Sequence, residues 1–246
     1  MNFTGKVAVV TGAARGIGEA IAKRFVDDQV EGLALIDLDQ ASIEETAQKL
    51  DPTGKRVAGF ACNIADREDV ARVFAEILSR FGKVDILVNN AGITRDAMFH
   101  KMTDDQWDSV LKVNLDGIYN TCKQVVPGMR EQNYGKIVNL ASVSAFGNVG
   151  QTNYGASKAA VIGFTKCLAR EIARNNCTVN AIAPSYVDTD MLRAVPDNVM
   201  AKFIEAIPAR RLAQPSEIAS VVAFLSSDDS SFVNGECIVV SGGSYM

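Results

Sequence analysis

The sequence predicts an α/β fold: a doubly wound, seven-stranded parallel sheet in a single domain spanning residues 1–246. Three observations carry that expectation: short apolar runs recur along the chain, segments of helical period separate them, and a glycine-rich turn follows the first run. In chain order, Lys6 to Val10, Leu33 to Ile36, Arg56 to Ala61, Val84 to Val88, Lys136 to Ala141, Thr178 to Ala183 and Glu236 to Val240 read as strands. Strands apolar on both faces need cover on both sides, which a parallel sheet with right-handed helical crossovers supplies. After the glycine turn, Ile21, Ala22 and Phe25 form a helix face; Val70, Val73, Phe74, Ile77 and Leu78 repeat the same three-and-four spacing. Longer helices are expected over Asp104 to Gln132 and Tyr154 to Arg174. Their apolar residues exceed one face (Val125, Val126, Met129, Ile162, Phe164 and Leu168), which points to contacts between copies of the chain. The stretch 185–214 has no place in the βα rhythm and is punctuated by Pro196 and Pro208, so it reads as a substrate flap.

Composition narrows the function. With 246 residues, 48% of them hydrophobic, the chain can bury a full core as one domain. The net charge of -4 and a pI near 5.2, with no dense Lys/Arg run, argue against a nucleic acid partner. No apolar run reaches the roughly 18 residues that cross a bilayer. The amino terminus moves directly into a strand without a leader-like segment, so no membrane association and a cytoplasmic location are expected. Five cysteines (Cys62, Cys122, Cys167, Cys177, Cys237) lie scattered, without the paired spacing of a metal or disulfide framework. The single histidine, His100, argues against a Ser-His-Asp hydrolase unless it lies in the site.

Chemistry enters at three places. Thr11-Gly12-Ala13-Ala14-Arg15-Gly16-Ile17-Gly18 lies between a strand and a helix, where glycines let the backbone approach a dinucleotide pyrophosphate at a helix start. Asp37 closes the second strand, where a carboxylate meets the adenosine ribose hydroxyls; it favours NAD(H), while Arg15 works in the opposite sense and leaves NADP(H) possible. Tyr154 and Lys158 stand four apart, on one face of a helix. A free phenol titrates near pH 10, and bringing it near 7 takes about 4 kcal/mol, which a neighbouring ammonium and a cationic nicotinamide ring would supply together.

With these motifs and their order, the chain resembles the short-chain dehydrogenase/reductase family with its Rossmann fold, and within it the 3-oxoacyl-[acyl-carrier-protein] reductases. The likeness runs the whole length: the Thr11 to Gly18 turn, Asn89-Asn90-Ala91-Gly92, Val113-Asn114, Ser142, Tyr154 with Lys158, Ala183-Pro184, and the ending Ser241-Gly242-Gly243-Ser244-Tyr245-Met246. The resemblance implies that Tyr154 is the general acid, Ser142 orients the substrate carbonyl, Lys158 binds the nicotinamide ribose and lowers the Tyr154 pKa, and Asn114 holds a relay water. It also gives Asn63 and Ile64 to the adenine, Asn90, Ala91 and Gly92 to the middle of the cofactor, and Pro184, Val187 and Thr189 to the nicotinamide end. The implied substrate is a 3-oxoacyl thioester on acyl carrier protein or CoA, and the implied assembly a homotetramer.

The chain departs from the family pattern in three places. Ser185 stands where glycine is usual. The gap from Ser142 to Tyr154 is one residue short, which makes Ser144 a competitor for the role of Ser142. Asn133 and Asn175 occupy slots where the carrier-protein reductases have basic residues, with Arg130 and Arg174 close by. Two other readings stand beside the leading one: dehydrogenation of another secondary alcohol, and a dinucleotide sensor without turnover. The apolar flap residues Tyr186, Met191, Leu192, Val195, Met200 and Phe203 favour an acyl chain over a polyol.

Overall fold

Alternation along each strand sorts the core into two layers in the computed structural model, which describes residues 1–189, Leu192 and residues 197–245. In β1 (Val7–Thr11), Ala8 and Val10 belong to one buried cluster and Val9 to the other; in β2 (Gly32–Asp37), Leu33 and Leu35 divide from Ala34 and Ile36 in the same way. The remaining strands are β3 (Val57–Ala61), β4 (Ile86–Asn89), β5 (Gly135–Leu140), β6 (Cys177–Pro184) and β7 (Cys237–Val240). All pair in parallel in the order β3-β2-β1-β4-β5-β6-β7. The predicted strands match these within two residues at each end.

The first layer is closed by α1 (Gly16–Asp27), α2 (Gln40–Leu50) and α8 (Pro215–Ser226), through Ile21, Phe25, Ile43, Ile218 and Val222. The second is closed by α3 (Arg67–Phe81), α5 (Gly117–Glu131) and α6 (Thr152–Ile172), through Phe74, Ile77, Ile118, Met129, Val161 and Ile172. Leu78 falls at the margin of the apolar arc of α3 and is 42% exposed. Val125 and Met129 are buried in the chain's own second layer, so the outer surface of α5 and α6 keeps only the half-buried Val126, Ile162, Phe164 and Leu168 from the predicted set.

Two local features differ from the sequence reading. The helical run after Thr103 is not uniform: α4 (Asp104–Leu111) and α5 are joined by a π-helical turn, Lys112–Asp116, with Asn114 in its middle. Such widened turns concentrate at functional sites. The segment 185–214 contains a helix, α7 (Asp197–Ala206), and its ends are tied by the Val187–Ala213 bridge. There Asp188 N donates to Ala213 O (2.9 Å) and Ala213 N to Tyr186 O (3.0 Å). Met191 and Val195 lie outside the described residues. Among the described residues no helix is long and apolar enough to cross a membrane.

A buried polar ladder fixes the strands that carry the site. Asn89 and Asn139 are register partners on β4 and β5, and Asn89 Nδ2 donates to Asn139 Oδ1 (2.9 Å). Thr121 of α5 donates to Asn89 Oδ1 (2.7 Å), and Asn139 Nδ2 donates to Thr165 of α6 (2.9 Å). Truncating Asn139 strands two buried polar groups. Asn139→Ala is expected to lower stability by about 2–4 kcal/mol, read as a fall in the urea midpoint at unchanged m-value.

Candidate active site

The direction in which strands are added reverses between β1 and β4, and the loops leaving those strands open a crevice above the sheet. They touch backbone to backbone. Gly12 has φ +64°, and a Cβ there would come 2.8 Å from Ala91 Cα; one on Gly18 would come 2.0 Å from Gly12 O. Asn90 stitches the contact: its Nδ2 donates to Thr11 O (3.0 Å) and Gly12 O (2.9 Å), while Thr11 Oγ1 accepts from the Asn90 and Ala91 amides (3.0 and 3.1 Å). The Asn90 amide nitrogen is thus committed to the scaffold even though the residue lines the cleft.

Helix α1 starts at Gly16 with Arg15 as its N-cap residue and no side-chain cap, whereas α2, α3 and α4 are capped by Asp39, Asp66 and Thr103. The free first-turn N–H groups of α1 present partial positive charge beside the glycine turn, which fits a pyrophosphate. At the end of β2, Asp37 accepts from Ala14 N (3.0 Å) and Leu38 N (2.8 Å), so its carboxylate is held against that turn. Arg15 is exposed and makes no ion pair among the described residues. Beyond β3, Asn63 is exposed with its Oδ1 bonded to Ala65 N (3.1 Å), and Ile64 is buried with its carbonyl accepting from Asn120 Nδ2 (2.9 Å).

On the other side of the crevice a cleft of about 220 Å³ is lined by Ile17, Asn90 and Gly92, by Ser142, Tyr154 and Lys158, and by Pro184, Val187 and Thr189. Lys158 is buried, its Nζ donating to Leu140 O (2.6 Å) and lying 5.6 Å from the centre of the Tyr154 ring. Burial depresses its pKa to about 8. Burial also pushes the Tyr154 phenol upward; the nearby Ser142 hydroxyl pulls it back and the charge of Asp96 adds to the rise. The lowered phenol pKa expected from sequence is therefore not a property of these side chains alone, and the phenol is protonated at neutral pH.

The shortened loop does not displace Ser142. Its Oγ caps the short 3₁₀ turn Val143–Phe146 by accepting from Ser144 N (3.1 Å). Ser144 turns its own hydroxyl to Gln151 Oε1 (2.8 Å) and does not line the cleft. Ser185 has no positive φ, and its N–H donates to Val240 O (3.1 Å), so glycine is not required there. Asn114 stands behind the wall: its Oδ1 accepts from Ile93 N (2.8 Å), and its Nδ2 donates to Ile93 O (3.0 Å) and Ser157 Oγ (3.1 Å).

One bracing residue escaped the sequence reading. Asn153 is fully buried; its Nδ2 donates to Arg95 O and Gln106 O (both 2.9 Å), and its Oδ1 accepts from Tyr154 N (2.7 Å). It ties the start of α6 to the loop after β4. Its place directly before Tyr154 was the only available signal.

A family model described as Enoyl-(Acyl carrier protein) reductase matches residues 12–245. The chain is 45% identical over 249 residues to the 3-oxoacyl-[acyl-carrier-protein] reductase FabG of Vibrio harveyi, covering 100% of both. It is 43% identical over 248 residues to the protein of the same description from Escherichia coli, again covering 100% of both, and 41% identical over 246 residues to that from Thermotoga maritima, covering 99% of each. With the reversed sheet, the glycine turn and the Ser142, Tyr154 and Lys158 cluster in one crevice, the chain belongs to the short-chain dehydrogenase/reductase family of nicotinamide-dependent oxidoreductases.

Proposed function

We propose that this protein reduces 3-oxoacyl thioesters to 3-hydroxyacyl thioesters, and runs the reverse oxidation. The observation that carries the reading is that Ser142, the Tyr154 phenol and buried Lys158 line one cleft at the mouth of a dinucleotide crevice, with Lys158 Nζ 5.6 Å from the centre of the Tyr154 ring. A nicotinamide cofactor, when bound, supplies the hydride. Tyr154 then donates its proton to the carbonyl oxygen. Ser142 and Tyr154 are two donors fixed in advance where negative charge builds on that oxygen. Lys158, held by Leu140 O, supplies the charge that makes losing the phenol proton less costly. Asn114 braces the loop of Gly92 and Ile93 against α6, and a relay water beside it is part of the reading.

The residues present fit the cofactor. Gly12, Arg15, Gly16, Ile17 and Gly18 would hold the pyrophosphate at the uncapped start of α1, and Asp37 the adenosine ribose. Asn63 and Ile64 would flank the adenine, Asn90, Ala91 and Gly92 the middle, and Pro184, Val187 and Thr189 the nicotinamide end. NAD(H) is the preferred cofactor, because the fixed Asp37 carboxylate repels a ribose phosphate and the following Leu38 offers no cation. The segment 185–214 acts as the substrate flap, with Tyr186 and Leu192 on the cleft wall. The thioester arrives on CoA or on acyl carrier protein, with exposed Arg130 and Arg174 beside Asn133 and Asn175. The homotetramer forms through the outer faces of α5 and α6 and through β7.

Tyr154→Phe is expected to lose about 10²–10⁴-fold in kcat with 3-oxobutanoyl-CoA while the dinucleotide Kd stays unchanged. A Phe variant that turns over normally overturns the reading. The same assay with a 2-enoyl thioester separates carbonyl from double-bond reduction; faster oxidation of reduced cofactor with the enoyl substrate favours the latter. kcat/KM is expected to be higher with NADH than with NADPH, and the reverse order contradicts the role given to Asp37. In sedimentation at micromolar concentration the protein should run as a tetramer, and a monomer refutes the assembly.

A further inference from the structure

Asp96 has no part in the roles above, yet its carboxylate anchors hydrogen bonds that run through Gln151 and Ser144 to the turn that carries Ser142. Gln151 Nε2 donates to Asp96 Oδ2 (2.9 Å), and Gln151 Oε1 accepts from Ser144 Oγ and Asn148 Nδ2 (both 2.8 Å). The Ser144 amide donates to Ser142 Oγ (3.1 Å), and Ser142 shares the cleft wall with Tyr154. The carboxylate sets the polarity of the links as far as the Ser144 hydroxyl. An ionised carboxylate only accepts, so Gln151 must turn its NH₂ to Asp96 and its oxygen to Ser144. The Ser144 hydroxyl is then committed outward. Its amide fills one lone pair of Ser142, leaving the Ser142 proton for an oxygen in the cleft.

The chain also ties two loops together. Ala97 N donates to Gly150 O (2.9 Å), so the loop after β4 and the loop after β5 meet at this network. Asp96 is exposed and makes no ion pair among the described residues, and its neighbour Arg95 bonds back to Thr94 O (3.0 Å). The titratable groups around the phenol are Asp96 from the loop after β4, Lys158 from its own helix, and Tyr186, which lines the same cleft from the loop after β6.

We propose that Asp96 is a positioning residue for the reaction: through Gln151 and Ser144 it fixes the turn that carries the Ser142 hydroxyl, and it holds a negative charge, without an ion-pair partner among the described residues, against Gln151 at the start of the helix that bears Tyr154. The inference rests on Tyr154 being the proton donor. The charge keeps that donor protonated in the reductive direction, and the hydrogen-bond chain keeps its partner aimed.

The test is the pH profile of kcat/KM for reduction of 3-oxobutanoyl-CoA in wild type, Asp96→Asn and Gln151→Leu. Reduction needs the protonated phenol, so activity falls as pH rises through its pKa. Removing the negative charge lowers that pKa, and Asp96→Asn should move the alkaline limb to lower pH by roughly half a unit at low ionic strength, and by less at high salt. Its dinucleotide Kd should not change. Gln151→Leu breaks the chain but keeps the charge, so it should lower kcat several-fold with the limb in place. An unmoved limb in Asp96→Asn overturns the proposal. So does a loss of activity that tracks equal losses in thermal stability and cofactor affinity, as a merely structural role would give. Failure of the underlying reading is distinct: there Tyr154→Phe retains turnover, whereas an inactive Tyr154→Phe with an unmoved Asp96→Asn limb sinks this inference alone.

Discussion

A buried ammonium is the constraint around which this site is arranged. Lys158 sits in the interior with one carbonyl, Leu140 O, as its described hydrogen-bond partner, and burial depresses its pKa to about 8. Its folded pKa lies below the unfolded value, so the folded state binds protons less readily. The ammonium therefore costs stability at all pH values below about 8, and the cost is relieved as pH rises from there toward the ordinary lysine value. A chain selected only for stability has no reason to keep that charge. The cost makes sense beside Tyr154, whose phenol is buried in the same wall and pushed in the opposite sense.

Holding that pair requires a stiff frame, and the frame is mostly polar. Asn89, Asn139, Thr121 and Thr165 lock β4 and β5 to α5 and α6 one residue short of Leu140, the acceptor for Lys158. Asn114 braces α6 from the π turn, and Asn153 ties the start of α6 to the loop after β4. Asn89, Asn139, Asn114 and Asn153 are each engaged on both oxygen and nitrogen, so each fixes an orientation as well as a position. The glycine contacts at Gly12 and Gly18 do the equivalent work on the dinucleotide side, where bare backbone replaces side chain.

The sheet was legible because β1 and β2 are covered on both faces, which leaves near-continuous apolar runs of strand length. The Tyr154 and Lys158 pair was legible because its spacing is local. The braces were not. Asn153 and Gln151 look like ordinary polar residues at a helix start, and their partners Arg95, Gln106 and Asp96 lie 45 or more residues away. The π turn at Asn114 is invisible to a 3.6-residue period, and the bonds of Asn114 to Ile93 join residues 21 apart in sequence. The phenol's environment was legible only in part: sequence shows the neighbouring ammonium but not the depth of burial, which raises the Tyr154 pKa in the protein alone.

The most direct test compares kcat/KM for 3-oxobutanoyl-CoA reduction against pH, at saturating cofactor, in wild type and Lys158→Met. The account predicts that losing the ammonium moves the alkaline limb to higher pH and lowers the plateau by orders of magnitude. A variant with the wild-type plateau and an unmoved limb would contradict it, because the phenol would then be giving up its proton without help from the charge beside it.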